Sequence, residues 1–445
     1  MTAPALSAGE AARRCFAAAV AAVQPDRLIR ENVVLHGERL SVGDLSFDLS
    51  NGRRIIAVGA GKASGLMAQA LEEALGDRLA AGAVAVKYGH GAPCRRIEIL
   101  EAAHPYPDPA GVEATRKIRR LCEEAGEGDL VLGLWSGGGS ALLADVPASA
   151  TLDEVTRLSK ALVTSGAEIG EINAVRKHLS GVKGGQLARL AFPAQVVSLM
   201  LSDVVGDPPD VIASGPTVAD PSTFADARAV LKKYGLEADA SAALQHVLAA
   251  GAAGLLPETP KPGDPALART ENCLIGCNRI ALEAAARAAQ VQGLDARIVT
   301  DRLEGDTEAA AQRIVEKARE VQASGGKKAT CLLFGGETTL RVTGSGLGGR
   351  NQHLALKAAL LLRDLPGITL LAGGTDGTDG PTDAAGAVAD GATCARAAAR
   401  GLDAEDHLRR FDAYPFFQVA GGHVKTGPTR TNVMDMVVVL VEEPS

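Results

Sequence analysis

The chain has 445 residues, enough for two large domains or about three of ordinary size, and a core of matching extent. Hydrophobic residues make up 46% and charged residues 22%, an ordinary globular balance that excludes collagen-like, disordered and small disulfide-scaffold chains. Lys and Arg number 46 against 53 for Asp and Glu, a net charge of -7, which leaves no basic footprint for nucleic acid and no polybasic membrane patch.

Aromatics are only 3%, so Ala, Val, Leu and Ile must build the core. The 51 glycines arrive in clusters, the mark of backbone-lined ligand loops more than of linkers. Seven cysteines, of which only Cys273 and Cys277 are close in sequence, read as reduced thiols. The stretch from Cys15 to Val23 is short, alanine-heavy and flanked by Glu10 and Asp26, which fits an amphipathic helix better than a signal peptide. With no apolar run of membrane-spanning length, a cytoplasmic location is expected.

In chain order, Arg54 to Val58 is an apolar run stopping at Gly59-Ala60-Gly61-Lys62, after which Ala63 to Leu75 carries helical spacing. Val84 to Lys87, Leu130 to Trp135 and Val196 to Leu201 repeat the strand pattern, each ending in a polar or glycine-rich turn. Thr151 to Glu154 is a capping box opening a helix with Val155, Leu158 and Leu162 on one face. Apolar strands alternating with helices predict a parallel sheet covered on both faces. Prolines concentrate at 257, 260, 262 and 265, read as a crossing between two lobes, so one domain is expected over 1–254 and a second over 269–445. In the second, a helix is expected over Thr307 to Ala323 and strands over Thr330 to Phe334 and Thr339 to Val342. Met434 to Val441 closes a mixed sheet. The fold class is therefore α/β with two lobes, and binding in the cleft between them is the default expectation.

Ligands of an open parallel sheet sit beyond the carboxyl ends of its strands. Gly61-Lys62 offers a helix start with free amides and an ammonium, a site for an anion. It is not a Walker A loop, and a dinucleotide fingerprint would need an acidic residue after the next strand, where Lys87 and Tyr88 stand. Ser136-Gly137-Gly138-Gly139-Ser140 lets successive amides converge on an anion, although a flexible turn is the competing account. The region from Asn173 to Gly185 holds Arg176 and Lys177, either anion ligands or a solvated helix face, with His178 read as structural. Asp203, Asp207, Ser214 and Gly215 follow the next strand. A carboxylate there can hold magnesium or accept a hydroxyl proton.

In the second lobe Glu337 follows paired glycines, and Gly349-Arg350-Asn351 places a guanidinium beside the free amides of a helix start, which suits a carboxylate or phosphate. Asp376, Asp379 and Asp383 crowd the loop after another strand. Anion cradles, cations and carboxylates together are the inventory of phosphoryl transfer.

The strings VGAGKAS, AAHPYPDPAG, WSGGGSALL, NAVRKHLSGVKGGQLA, LSDVVGDPPDVIASGPT, FGGETTLRVTGSGLGGRNQ and AGGTDGTDGPTDAAGA resemble the glycerate 2-kinase family, whose C-terminal part is the MOFRL domain and whose members also carry the label hydroxypyruvate reductase. The resemblance runs from about Arg27 onward. It implies a Rossmann-like N-terminal domain and a C-terminal MOFRL domain, with the active site between them. It also implies ATP- and Mg²⁺-dependent phosphorylation of D-glycerate at its 2-hydroxyl. The family's active-site lysine falls on Lys62 and its arginine on Arg350. The family commonly continues GGRNQE, whereas here His353 follows Gln352.

Expected roles follow from this resemblance and the loops together. Lys62, Arg350 and Asp203 would be catalytic. Gly61, Ser136, Gly137, Gly138, Gly139, Ser140, Arg176, Lys177, Ser214, Gly215, Glu337, Gly349, Asn351 and Asp379 would bind substrate or phosphate. Asp203, Asp207 and Asp376 are the candidates for Mg²⁺, with the base unassigned among the aspartates. D-glycerate and ATP are the expected small-molecule partners, with no nucleic acid and no membrane, and a homodimer is compatible with the chain. The alternative is an NAD(P)-dependent hydroxypyruvate reductase.

Overall fold

The computed structural model describes residues 7–325 and 328–443. An antiparallel meander, β1 (Val33–His36), β2 (Arg39–Val42) and β3 (Leu45–Asp48), comes first. It is followed by β4 (Ile55–Ala60), β5 (Leu79–Lys87), β6 (Ile97–Ala102), β7 (Leu130–Trp135), β8 (Gln195–Leu201) and β9 (Thr270–Gly276). These six form one wholly parallel sheet in the order β6-β5-β4-β7-β8-β9. Every residue of β4 and β7 is buried, as strands covered on both faces require, and their sequences are accordingly unbroken apolar runs. From β4 the chain goes outward through β5 to β6, then returns to β7 and runs the other way. The β4/β7 junction is thus a topological switch point.

The remaining strands are β10 (Asp295–Leu303), β11 (Thr330–Gly336), β12 (Ile368–Gly374), β13 (Gly386–Asp390), β14 (His423–Val424) and β15 (Asp435–Val441). They form a second sheet in the order β10-β11-β15-β12-β13-β14. Only β10 and β11 are parallel; β15 runs antiparallel to both its neighbours. The last strand is therefore an interior one, buried at all seven positions. Its register sets Asp435 opposite both Gly336 and Gly374. The carboxyl ends of β11 and β12 consequently flank its first residue.

The helix Ala8–Ala22 opens on a capping box between Ser7 and Glu10 and buries Ala12, Cys15, Phe16 and Ala19. That stripe packs on helix Asn278–Val291 and on β12, with the Phe16 ring against Gly373. Two compact units result. Of the described residues, one comprises 7–24, 203–206, 277–325 and 328–443, and the other 25–202 and 207–276. These units differ from a single cut at the proline-rich segment. Pairing with β8 extends the parallel sheet past residue 269, and the N-terminal helix belongs with the mixed sheet because its apolar stripe is buried there.

The expected strand at Thr339 to Val342 is absent. That segment makes only an isolated bridge, Thr339 with Asp306, because β15 occupies the sheet position beside β11. The capping box of Thr151 and Glu154 and the helix Thr307–Ala323 are as expected. All seven cysteines are free thiols. Among the described residues no helix is long and apolar enough to cross a membrane.

Candidate active-site loops

At the switch point the turns after β4 and β7 lock together. Gly61 has φ 148°, and a Cβ there would lie 2.0 Å from the Ser136 hydroxyl, so only glycine admits this approach. The amide of Lys62 donates to the Gly137 carbonyl at 2.9 Å, and that of Ala63 to the Ser136 hydroxyl at 3.1 Å. Ser64 donates to the Leu134 carbonyl at 3.0 Å. The amides of Lys62 and Ala63, which lead into helix Ser64–Leu75, are thus occupied, because the neighbouring turn supplies their acceptors. A dinucleotide pyrophosphate would need those amides, and β5 ends in Lys87 rather than in the acid that binds a ribose hydroxyl.

The anion-binding capacity lies in the second turn. Among the described residues the amides of Gly137 and Gly138 donate no hydrogen bond. A Cβ on Gly138 (φ 82°) would lie 3.0 Å from the His104 ring and 3.3 Å from the Lys62 side chain. Two open amides, an ammonium and an imidazole therefore surround one small space. Burial, then the charges of Lys62, Lys87 and His90, hold the His104 pKa down to about 4. His104 stands in the AAHPYPDPAG string, yet nothing in its spacing marked it as part of this group.

Ser140 closes the turn, its hydroxyl 2.6 Å from that of Ser214, which donates to Asn173 at 3.0 Å. Ser214 is fully buried, with φ 61°, and Gly215 follows with φ 58°. Their carbonyls accept from the amides of Gly184 and Gly185. Both residues support the Ser140 turn from within and leave no surface for a ligand. Lys177 is only 3% exposed and is held by Asp210 at 3.1 Å and Asp220 at 3.3 Å. This explains the basic cluster differently from a phosphate site: the ammonium neutralises two internal carboxylates. His178 is buried between the Ala174 carbonyl and Glu258, a structural role as expected. Arg176 instead lines an open pocket and contacts the Ser159 hydroxyl at 2.9 Å. Asp207, with φ 54°, belongs to this same unit.

In the mixed-sheet unit Arg350 is the hub. Its Nε and Nη2 donate to the two oxygens of Asp435 at 2.5 and 3.0 Å, and Nη1 lies 2.8 Å from Glu337. Its side chain remains 34% exposed, so the remaining N–H donors can meet a ligand. Burial raises the Glu337 pKa; Arg350 opposes this, and crowding by Asp435, Asp203 and Asp376 adds to it. Asn432 donates to Asp203 at 3.4 Å. Asp435 was missed in the sequence. Its one signal is an acid opening an otherwise apolar strand.

The helix amides beside Arg350 are also occupied. Asp379 is buried and accepts from the amides of Asn351 at 3.0 Å and Gln352 at 2.8 Å. Its pKa is pushed up to about 6 by burial, against the pull of those amides. Gly349 caps the helix so closely that a Cβ would collide with Asp379. Asp379, Gly349 and Asn351 therefore form an internal cap that fixes the start of the arginine's helix. His353, where the resemblance leads one to expect an acid, is buried, stacks on Phe411 and lies 3.1 Å from Glu308.

Among the described residues no group of three His, Cys, Asp or Glu side chains is disposed to hold a metal ion unaided. Magnesium asks less, taking one or two carboxylates with water and phosphate oxygens completing its shell. The mutually repelling Asp203, Asp376 and Glu337 are hard oxygen donors that fit it.

One α/β unit is built on a parallel sheet with open glycine amides beside Lys62 at its switch point, the other carries an arginine–carboxylate hub, and two family models match the chain. A domain of unknown function, DUF4147, matches residues 11–249, and the MOFRL family matches residues 330–435. A D-glycerate 2-kinase of Thermotoga maritima is 42% identical over 425 residues, 95% of each chain. A putative hydroxypyruvate reductase of Agrobacterium vitis is 42% identical over 440 residues, 98% of this chain and 95% of that one. The crystal structure of the Thermotoga maritima glycerate kinase superposes with a TM-score of 0.86 at 41% identity, covering 97% of this chain and 99% of that one. The chain belongs to the glycerate kinase family.

Proposed function

We propose that the protein is an ATP- and Mg²⁺-dependent glycerate 2-kinase, converting D-glycerate to 2-phosphoglycerate and ADP. The observation that carries this over the reductase is the state of the first glycine turn. The amides of Lys62 and Ala63 in it are spent on Gly137 and Ser136, while open amides, Lys62 and His104 gather at the next turn. That arrangement supports holding a phosphate chain and does not support a dinucleotide.

In the reaction, the 2-hydroxyl oxygen of glycerate bonds to the γ-phosphorus as the bond to the β-bridging oxygen breaks. ADP leaves with that electron pair, and the hydroxyl proton passes to a carboxylate. The amides of Gly137 and Gly138 and the Lys62 ammonium hold phosphate oxygens. Arg350, its fork fixed by Asp435, spreads positive charge over the transferring group or the glycerate carboxylate. Asp203 and Asp376 would hold Mg²⁺, with Glu337 beside them. Bound there, it would neutralise phosphate oxygens.

The test offers purified protein D-glycerate with Mg-ATP, and separately hydroxypyruvate with NADH or NADPH. Formation of 2-phosphoglycerate, identified by phosphorus NMR, is expected. Exclusive formation of 3-phosphoglycerate would move the reaction to the other hydroxyl, and turnover of hydroxypyruvate alone would replace the kinase reading.

A further inference from the structure

The parallel-sheet unit carries an open pocket between helix Leu152–Thr164 and helix Ile169–His178. Its walls are aliphatic, with Val155, Leu158, Leu162 and Val175 facing the space. Leu158 and Leu162 are fully buried and form its floor, whereas Val155 is half-buried. Three charged side chains interrupt this lining: Asp145 and Lys183, which pair with each other at 3.5 Å, and Arg176, which has no acidic partner among the described residues. Its Nε and Nη2 reach only the Ser159 hydroxyl, at 3.2 and 2.9 Å, and no ion pair forms on it among the described residues. A guanidinium taken from water without a carboxylate is costly. Such a group gains from a ligand that covers it.

Two features say what that ligand is. Glycerate has three carbons bearing a carboxylate and two hydroxyls, so it offers no apolar face to these walls. A flat heteroaromatic ring suits both elements, since aliphatic side chains pack on its faces and a guanidinium stacks on it or donates to its ring nitrogens. The second feature is continuity. Ser140 lines the pocket, and two residues before it stands Gly138, at the open amides beside Lys62.

We propose that this pocket holds the base of the nucleotide, with Arg176 against the ring and the phosphate chain leading past Ser140 to Gly137, Gly138 and Lys62. This deepens the kinase reading and rests on it for the identity of the phosphoryl donor.

The probes are adenosine, ADP and inorganic tripolyphosphate, with binding measured by calorimetry on the full chain. Val155→Trp fills the mouth of the pocket, and Arg176→Gln removes the cation while leaving the walls; circular dichroism and thermal melts establish folding. Val155→Trp is expected to weaken adenosine and ADP at least tenfold while leaving tripolyphosphate within about twofold. Arg176→Gln is expected to weaken adenosine by about threefold or more, the size of one stacked cation. In turnover, KM for ATP should rise and KM for glycerate should stay unchanged. Unaltered ADP affinity in both folded variants, or a rise in KM for glycerate alone, overturns the proposal. The two readings fail separately. Native protein that phosphorylates glycerate while both variants keep their ADP affinity sinks the pocket assignment only. Loss of ADP binding in Val155→Trp, with native protein that binds ADP yet makes no phosphoglycerate, sinks the glycerate assignment only.

Discussion

Arg350 and Asp435 meet fork to fork, two N–H groups of the guanidinium on the two oxygens of one carboxylate. The pairing follows from topology, because the register of β15 puts Asp435 level with the last residues of β11 and β12. Asp435 is thus a positioning residue for Arg350. Asp435→Asn should lower kcat by about tenfold, less than the loss from Arg350→Ala, which should be about 100-fold or more. The discriminating readout is the conservative variant. Asp435→Glu should recover part of kcat, because a carboxylate can still engage the fork. If Asp435→Asn and Asp435→Glu reduced kcat equally with unchanged thermal stability, orientation of Arg350 would not be its role.

Lys62 stands at the other half of the charge inventory. Lys62→Ala should lower kcat by about 100-fold with little effect on thermal stability, since the side chain is half-exposed and the turn is held by backbone and serine contacts. Steady-state kinetics with the folded variant check this. Full activity would remove Lys62 from the phosphate site.

Lys177 makes the opposite prediction. Its ammonium is buried between Asp210 and the fully buried Asp220, and Asp220 keeps a lowered pKa because Lys177 and its hydrogen bonds outweigh burial. Lys177→Met would leave buried carboxylate charge uncompensated and should cost about 3–5 kcal/mol of stability. The loss should appear in chemical denaturation. A stable Lys177→Met protein with a raised KM would restore it to the substrate site.

Much of the fold is legible in the sequence, because buried parallel strands such as Leu130–Trp135 are continuous apolar runs and capped helices such as Thr307–Ala323 carry their own boundaries. The locations of the glycine turns are legible for the same reason, each coming at a strand end. Which amides in them remain open is not. The Lys62 and Ala63 amides are consumed by residues more than 70 positions away, and the Asn351 and Gln352 amides by Asp379, 27 or 28 positions away. Long-range pairing also decided the fates of Lys177 and Asp435. Composition and local spacing give residue types at a site, whereas the partner that occupies each one is set by sheet order and register.

His104 supplies a pH-dependent signature of the open-amide turn. Its pKa lies near 4 in the folded protein against 6.5 for an ordinary imidazole, depressed first by burial and then by Lys62. Between those values the unfolded chain takes up a proton that the folded site refuses. Acidification from about 6.5 to about 4 therefore drains stability through this residue, and stability from it is regained as pH rises through that window. His104→Asn should abolish this contribution, so its melting temperature should fall less steeply than that of the native protein across the same range. Lys62→Ala should have an intermediate effect, because it removes the second cause of the depression and leaves burial in place. Parallel stability curves for native protein and His104→Asn would mean that the imidazole titrates normally and is not enclosed beside Gly138.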